Sequence, residues 1–239
     1  MAFKFSGVDF LHLDASFSED ELLVRRTARD FVNDNLTPII EECFREGRFP
    51  RELVRTMGKL GFYGANLEGY GCAGMSNVEY GLVMQEMERG DSGLRSFVSV
   101  QSALVMYPIY TFGTDAQKNT WLPAMATGEK LGCFGLTEPG FGSNPGGMTT
   151  TARKSGDEYI LNGEKMWITS GNIADVAVIW ARVEDEDNRV RGFLVETDRP
   201  GFRADEVHGK WSLRASVTSG LSLQDVHVPA ANLLPGTGG

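Results

Sequence analysis

Cysteine and histidine are both scarce, with three of each in 239 residues. Cys43, Cys72 and Cys133 are too few and too dispersed to frame a disulfide scaffold or a zinc site, so no metal centre is expected. A reduced compartment fits this usage, and a bacterial cytoplasm is the expected location. His12, His208 and His227 are scattered and match no catalytic motif, which leaves them structural or solvent-exposed roles. Long apolar runs are also missing. None approaches the roughly 18 residues that a membrane span needs, so a soluble protein is expected. Positive charge is in deficit: 23 Lys plus Arg stand against 32 Asp plus Glu, a net charge of −9. That balance argues against nucleic acid or an acidic membrane surface as the main partner. The opening stretch MAFKFSGVDFLHLDASF has too much charge and no continuous apolar core for a signal peptide, and it is not the Arg-rich, acid-poor segment of an import sequence. There is no internal repeat and no low-complexity tract.

What is present falls into two grammars. Ser18 followed by Glu21 makes a capping box, after which Leu22, Leu23, Phe31, Val32, Ile39, Ile40 and Cys43 recur at helical spacing. Pro38 lies inside this run. It either kinks one long helix or, with Thr37 as N-cap, begins a second. Pro50 suits the first turn of a helix through Leu53, Met57 and Leu60 that Gly61 ends. Ser76 with Glu79 is another capping box, opening a helix to about Arg89. Asp91 or Ser92 caps the apolar helix that follows, to about Tyr110. Thr114 with Gln117 repeats the box before a segment ending near Thr127.

After Gly128 the period becomes two. Asp157–Leu161, then Asn162-Gly163, then Lys165–Thr169 reads as a hairpin with a type I′ turn. Val176–Val183, Arg191–Glu196 and Ser219–Val228 are further strand candidates, and Glu184–Asp187 reads as a solvated hairpin tip. Helices followed by strands imply an α+β chain: an all-helical domain over residues 1–130, then a β-barrel-like domain over 131–239.

The stretch richest in chemistry is LGCFGLTEPGFGSNPGG, from Leu131 to Gly147, with a companion MWITSG from Met166 to Gly171. An apolar run breaks at Thr137-Glu138-Pro139 into a loop bearing Gly140, Gly142, Gly146 and Gly147. Such a loop leaves backbone amides uncovered and can aim them, with the Thr137 and Ser143 hydroxyls, at an anionic or heteroaromatic ligand. Trp167 and Thr169 fall on one side of a strand, because strand side chains alternate. A flat indole beside a hydroxyl suits a flat, hydrogen-bonding ring system. A glycine-rich turn beside a core tryptophan is the competing reading.

FGLTEPGFGS followed by WITSG resembles the paired flavin-binding signature of acyl-CoA dehydrogenases, and both halves stand at that family's spacing. The resemblance runs from about Leu22 onward. Within the family, GYGCAGMS, RGDSGLRSFVSVQSALVMYPIY, LGCFGLTEP and KWSLRASVTSG are most similar to the branch acting on glutaryl-CoA. The resemblance implies FAD as cofactor. Phe134, Leu136 and Thr137 would lie along the isoalloxazine, and Gly142 and Ser143 would approach the pyrophosphate and the acyl-CoA. Trp167, with Ile168 beside it, would cover the other face, and Thr169 would bond near the N5–O4 edge. Asn144 departs from the aspartate usual in this loop. An acyl-CoA substrate remains compatible with the acidic balance, since its phosphates need only a local basic patch. The resemblance also makes Arg95 the partner of the substrate's distal carboxylate, with Ser96 and Ser99 on the substrate side and Glu88 steadying the guanidinium. A guanidinium fits a carboxylate bidentately, whereas a simple fatty-acyl substrate would want an apolar residue there. Arg214 reads as bonding loop carbonyls between strands.

The chemistry implied is α,β-dehydrogenation of glutaryl-CoA with decarboxylation to crotonyl-CoA. Electron-transfer flavoprotein would accept the electrons, and the full-length protein would be a homotetramer. In the family the α-proton is removed by a carboxylate of a C-terminal helical domain. This chain ends where that domain is expected to begin and holds no carboxylate matching its motif. The 239-residue chain alone is therefore expected to be inactive, and a non-catalytic fragment that binds flavin or acyl-CoA, or serves in assembly, is the alternative.

Overall fold

The computed structural model describes residues 10–238; most of the N-terminal stretch read above against a signal peptide, and Gly239, lie outside the described residues. Seven α-helices come first: α1 (Glu19–Phe31), α2 (Thr37–Glu46), α3 (Val54–Lys59), α4 (Asn77–Gly90), α5 (Ser92–Ser99), α6 (Tyr107–Phe112) and α7 (Asp115–Ala126). All three capping boxes form. Ser18, Ser76 and Thr114 each accept from the backbone of the residue three on, and Glu21, Glu79 and Gln117 return the bond. Asp91, not Ser92, caps α5, through the Leu94 amide.

Pro38 and Pro108, in the two longest helical runs, receive the same treatment, which Pro123 inside α7 does not. Residues 32–36 and 100–106 are π-helical, each widening the helix just ahead of the proline. Proline has no N–H to donate, and its ring crowds the carbonyl one turn back. A wider turn relieves that contact without breaking the helix. The chain is thus helical without interruption from Glu19 to Glu46 and from Ser92 to Phe112. Thr37 does not act as an N-cap; its hydroxyl donates to the Val32 carbonyl at 3.0 Å.

Seven strands follow: β1 (Gly132–Gly135), β2 (Thr151–Ser155), β3 (Glu158–Thr169), β4 (Val176–Val183), β5 (Arg189–Glu196), β6 (Phe202–Glu206) and β7 (Thr218–Pro229). They form one curled sheet in the order β1-β4-β2-β3-β7-β6, with β5 also on β4. The barrel-like expectation therefore stands as a half-barrel. Strand β4 is buried on both faces. Val176 and Val178 join the helical core with Leu94, Val105 and Leu122, while Ala177, Ile179 and Ala181 pack inside the curl with Phe193 and Leu221. Gln101 stitches the seam, accepting from the Gly132 amide at 2.9 Å and donating to the Lys130 carbonyl at 2.9 Å. The acidic tip at Glu184–Asp187 joins β4 to β5 and is largely exposed. No helix among the described residues is long and apolar enough to cross a membrane.

The Asn162-Gly163 hairpin is corrected. Both residues lie inside β3, at an irregularity in its pairing with β7, and the turn joining β2 to β3 is at Gly156-Asp157. Asn162, though exposed, is paired across the sheet with Asp225. Gly163 is required for a different reason: it has φ +152, and a Cβ there would come within 2.4 Å of Thr150 Oγ1 and 2.7 Å of its Cα. Gly163→Ala should therefore destabilise the chain by about 2–4 kcal/mol in urea unfolding, well beyond the cost of an ordinary glycine substitution. A loss under about 1 kcal/mol would return Gly163 to an open turn.

Candidate functional site

The site is built where β1 runs out and β3 bulges. Past Gly135 the chain reaches Thr137, whose carbonyl accepts the Met166 amide at 2.8 Å. That bond joins the two halves of the glycine-rich motif. Opposite β7 the register slips between Lys165 and Ile168, so both side chains are buried and simple alternation fails at this point. Trp167, between them, has φ +63 and is 63% exposed. A left-handed backbone is costly for a bulky residue and is held only where its surroundings fix it. Ser170 has φ +65, so two such residues stand within four positions.

The surface around this bulge is polar and uncommitted. Among the described residues, the hydroxyls of Thr137, Ser143 and Thr169 and the indole N–H of Trp167 take no hydrogen-bond partner. Gly140 and Gly142 have open space where a side chain would stand. Phe134 is half-buried, its ring 6.0 Å from Trp180 in an edge-on arrangement. Leu136 is half-buried as well, whereas Ile168 packs into the curl of the sheet and can offer only backbone.

Beneath this surface lies a pair that the sequence did not announce. Lys165 Nζ, fully buried, bonds Glu138 Oε1 at 2.9 Å and the Leu136 carbonyl at 3.1 Å. Glu138 also accepts the amide and hydroxyl of Thr149 on Oε2, and those of Thr150 on Oε1. Burial alone would raise the pKa of Glu138, but these donors outweigh it and hold the carboxyl at about 2. Burial lowers the pKa of Lys165, and Glu138 only partly offsets that. The one available signal was a lysine at an inward strand position, directly before MWITSG.

A second cluster lies on the helices. Arg95 Nε donates to Glu88 Oε2 at 2.6 Å, and its Nη1 reaches Ser99 Oγ at 3.4 Å. Ser92 donates to the other Glu88 oxygen at 2.5 Å, and these two donors, Ser92 foremost, lower the carboxyl pKa. Nη2 of Arg95 has no partner among the described residues. Ser96 and Ser99 are half-buried on the same helix, which continues through Val105 onto Gly132 of β1. Arg214 bonds carbonyls as expected, although its main targets, Phe44 and Arg45, close the end of α2 instead of joining strands.

Residues 18–129 match the acyl-CoA dehydrogenase N-terminal domain and residues 133–226 the acyl-CoA dehydrogenase middle domain. The chain belongs to the acyl-CoA dehydrogenase family. A glutaryl-CoA dehydrogenase structure from Mycobacterium smegmatis, in complex with FADH2, is 54% identical, with a TM-score of 0.93 over 95% of this chain and 58% of that one. A probable acyl-CoA dehydrogenase of Bacillus subtilis is 37% identical over 93% of this chain and 60% of its own length. The mitochondrial short-chain specific acyl-CoA dehydrogenase of Rattus norvegicus is 36% identical over 92% and 55%. The acyl-CoA dehydrogenase chain described here thus spans little more than half the length of these relatives.

The buried carboxylate generates a pH dependence. A folded pKa near 2, against 4.5 as the ordinary value, means that Glu138 contributes stability above about pH 4.5 and loses it as pH falls toward 2. The shift corresponds to roughly 3 kcal/mol. The urea midpoints of the parent chain and Glu138→Gln should differ widely at neutral pH and converge near the acid limit. A gap that does not change with pH would show that Glu138 is not held ionised.

Proposed function

We propose that this chain forms the flavin- and acyl-CoA-binding part of a FAD-dependent acyl-CoA dehydrogenase acting on glutaryl-CoA, with a helical domain over residues 1–130 and a flavin-binding domain over 131–239. The observation that carries the reading is the Thr137–Met166 bond, which brings a strained, exposed indole alongside uncommitted hydroxyls and an uncrowded glycine loop. These residues suit a flat ring with a polar edge. Thr137 and Thr169 would hold the pyrimidine and N5–O4 edges of FAD, Phe134 and Leu136 would line its ring, and Trp167 would cover it. Ile168 contributes through its backbone, and Gly142 and Ser143 approach the pyrophosphate and the thioester's CoA.

When bound, FAD supplies the acceptor for the β-hydrogen of the acyl chain, which leaves as hydride. The Thr137 and Thr169 hydroxyls would supply fixed donors to the polar edge of the ring, which need no reorientation to favour negative charge there. Arg95 presents its free Nη2 to the distal carboxylate while Glu88 holds the guanidinium in place, and Ser96 and Ser99 line the approach. Cleavage of the bond to the distal carboxylate would then release CO2, and the carbanion left would take up a proton to give crotonyl-CoA. We assign the carboxylate that removes the α-proton to none of the residues described, and Glu138 is unsuited to it because its oxygens are filled by donors. Electron-transfer flavoprotein is the proposed acceptor and a homotetramer the proposed assembly. The 54% identity to a glutaryl-CoA dehydrogenase supports the substrate. The short-chain specific relative supports a second reading, in which the acyl group carries no distal charge.

Two substitutions test the proposal in the complete enzyme. Trp167→Ala should weaken FAD binding more than tenfold, since burying an aromatic face is worth roughly 1–3 kcal/mol; retention of stoichiometric yellow cofactor at the parent affinity would refute the placement. Arg95→Leu would strand a buried carboxylate at a cost of about 3–5 kcal/mol, so kcat/KM for glutaryl-CoA should fall at least a hundredfold. Butyryl-CoA should be used as well as before or better. An unchanged glutaryl-to-butyryl ratio would favour the uncharged substrate and make Arg95 a bystander.

A further inference from the structure

The Glu138–Lys165 pair has no place among the flavin contacts, and its geometry rules out several roles. Lys165 is fully buried, and its three N–H groups face the Leu136 carbonyl, Glu138 Oε1 and, at 3.9 Å, Met148 Sδ. Glu138 accepts five bonds, one from Lys165 and two each from Thr149 and Thr150. A carboxylate so engaged cannot serve as a base, and the ammonium has no donor left for a ligand. Stability alone is also a poor reason for the pair, because buried ion pairs can often be replaced by apolar side chains without loss.

What the charges add is direction. Three stretches distant in sequence meet on two side-chain heads: Leu136 to Phe141 just past β1, the loop stem at Thr149–Thr150, and the β3 bulge. Every segment carries one of the groups assigned above to the flavin or adjoins one. Leu136 precedes Thr137, the Glu138–Thr150 span holds Gly142 and Ser143, and Lys165 stands two residues before Trp167.

We propose that Glu138 and Lys165 are positioning residues of the flavin site, which fix Thr137 against the Trp167 bulge and close the base of the glycine loop without touching the ligand. The proposal rests on the flavin reading of that surface. Its local part concerns the free protein: the Thr137–Met166 bond depends on the pair.

Two variants separate positioning from mere support. Lys165→Met removes the arm to Leu136 but leaves Glu138 four donors, so the fold should survive. Glu138→Leu combined with Lys165→Met removes both charges and fills the space with apolar atoms. In the full chain without flavin, amide exchange at Met166 should speed up at least tenfold in both variants, while exchange at Val178 and Ile179 in β4 stays at parent rates. Titration with FAD should then give at least tenfold weaker binding in both, with a changed shape of the visible flavin bands, even where the urea midpoint of the double variant matches the parent. Parent-like Met166 protection, or recovery of affinity and band shape together with stability in the double variant, would overturn the proposal. So would unfolding of both variants, which would make the pair a requirement of the fold itself. A parent chain that fails to bind FAD would count against the flavin reading, while the Met166 result would still decide the positional claim.

Discussion

A lysine and a glutamate, placed in an interior that water does not reach, are the constraint on which the curled sheet is arranged. Ions of this kind are costly to desolvate, and the cost is met only when each lone pair and each N–H finds a partner of good geometry. Glu138 has five such partners and Lys165 three. Because the demand is directional, it cannot be met by a loop in several conformations. The tight turn from Glu138 to Phe141, the consecutive threonines at 149 and 150 and the register slip after Lys165 all serve one set of distances. A loop with four glycines would otherwise be the least determined part of the chain. It is instead tied at both ends by a single carboxylate.

The helices solve a different problem, that of keeping prolines inside long helices. Both wide turns fall where a donor is about to be lost, and neither ends its helix. Continuity matters most in the run from Ser92 to Phe112. Its first turns carry Arg95 and Ser99, and its middle carries Gln101 and Val105, which grip the start of β1. A flexible joint near Val100 would uncouple the arginine cluster from the strand that leads to Thr137.

Local rules made much of this legible. Capping boxes at Ser18, Ser76 and Thr114 depend on four consecutive residues and read directly from the chain. The Glu88–Arg95 pair, seven residues apart across one helix junction, was within reach of the resemblance for a similar reason. Asn162-Gly163 misled because its turn chemistry is real but subordinate: the need for a bare Cα against Thr150 accounts for the glycine, and a cross-sheet bond to Asp225 accounts for the asparagine. The pairing of Lys165 with Glu138 was invisible because 27 residues separate them, and the inward strand position of Lys165 names no partner. The same holds for the bulge at Trp167. Alternation predicts a regular strand, and only the partner strand β7 reveals the extra residue.

The double-sided burial of β4 bears on how the molecule comes apart. Its odd and even positions belong to different cores, so the helical layer cannot be stripped away without baring Val176 and Val178, nor the sheet removed without opening the floor beneath Leu94 and Val105. A boundary drawn in the sequence near residue 130 therefore crosses a region that is continuous in apolar contact. Interfaces of this kind tend to melt as one unit, whereas joints between loosely docked modules melt in steps. The two portions are separable in the alignment of families yet mutually dependent as folded matter, much as a keystone belongs to both sides of its arch.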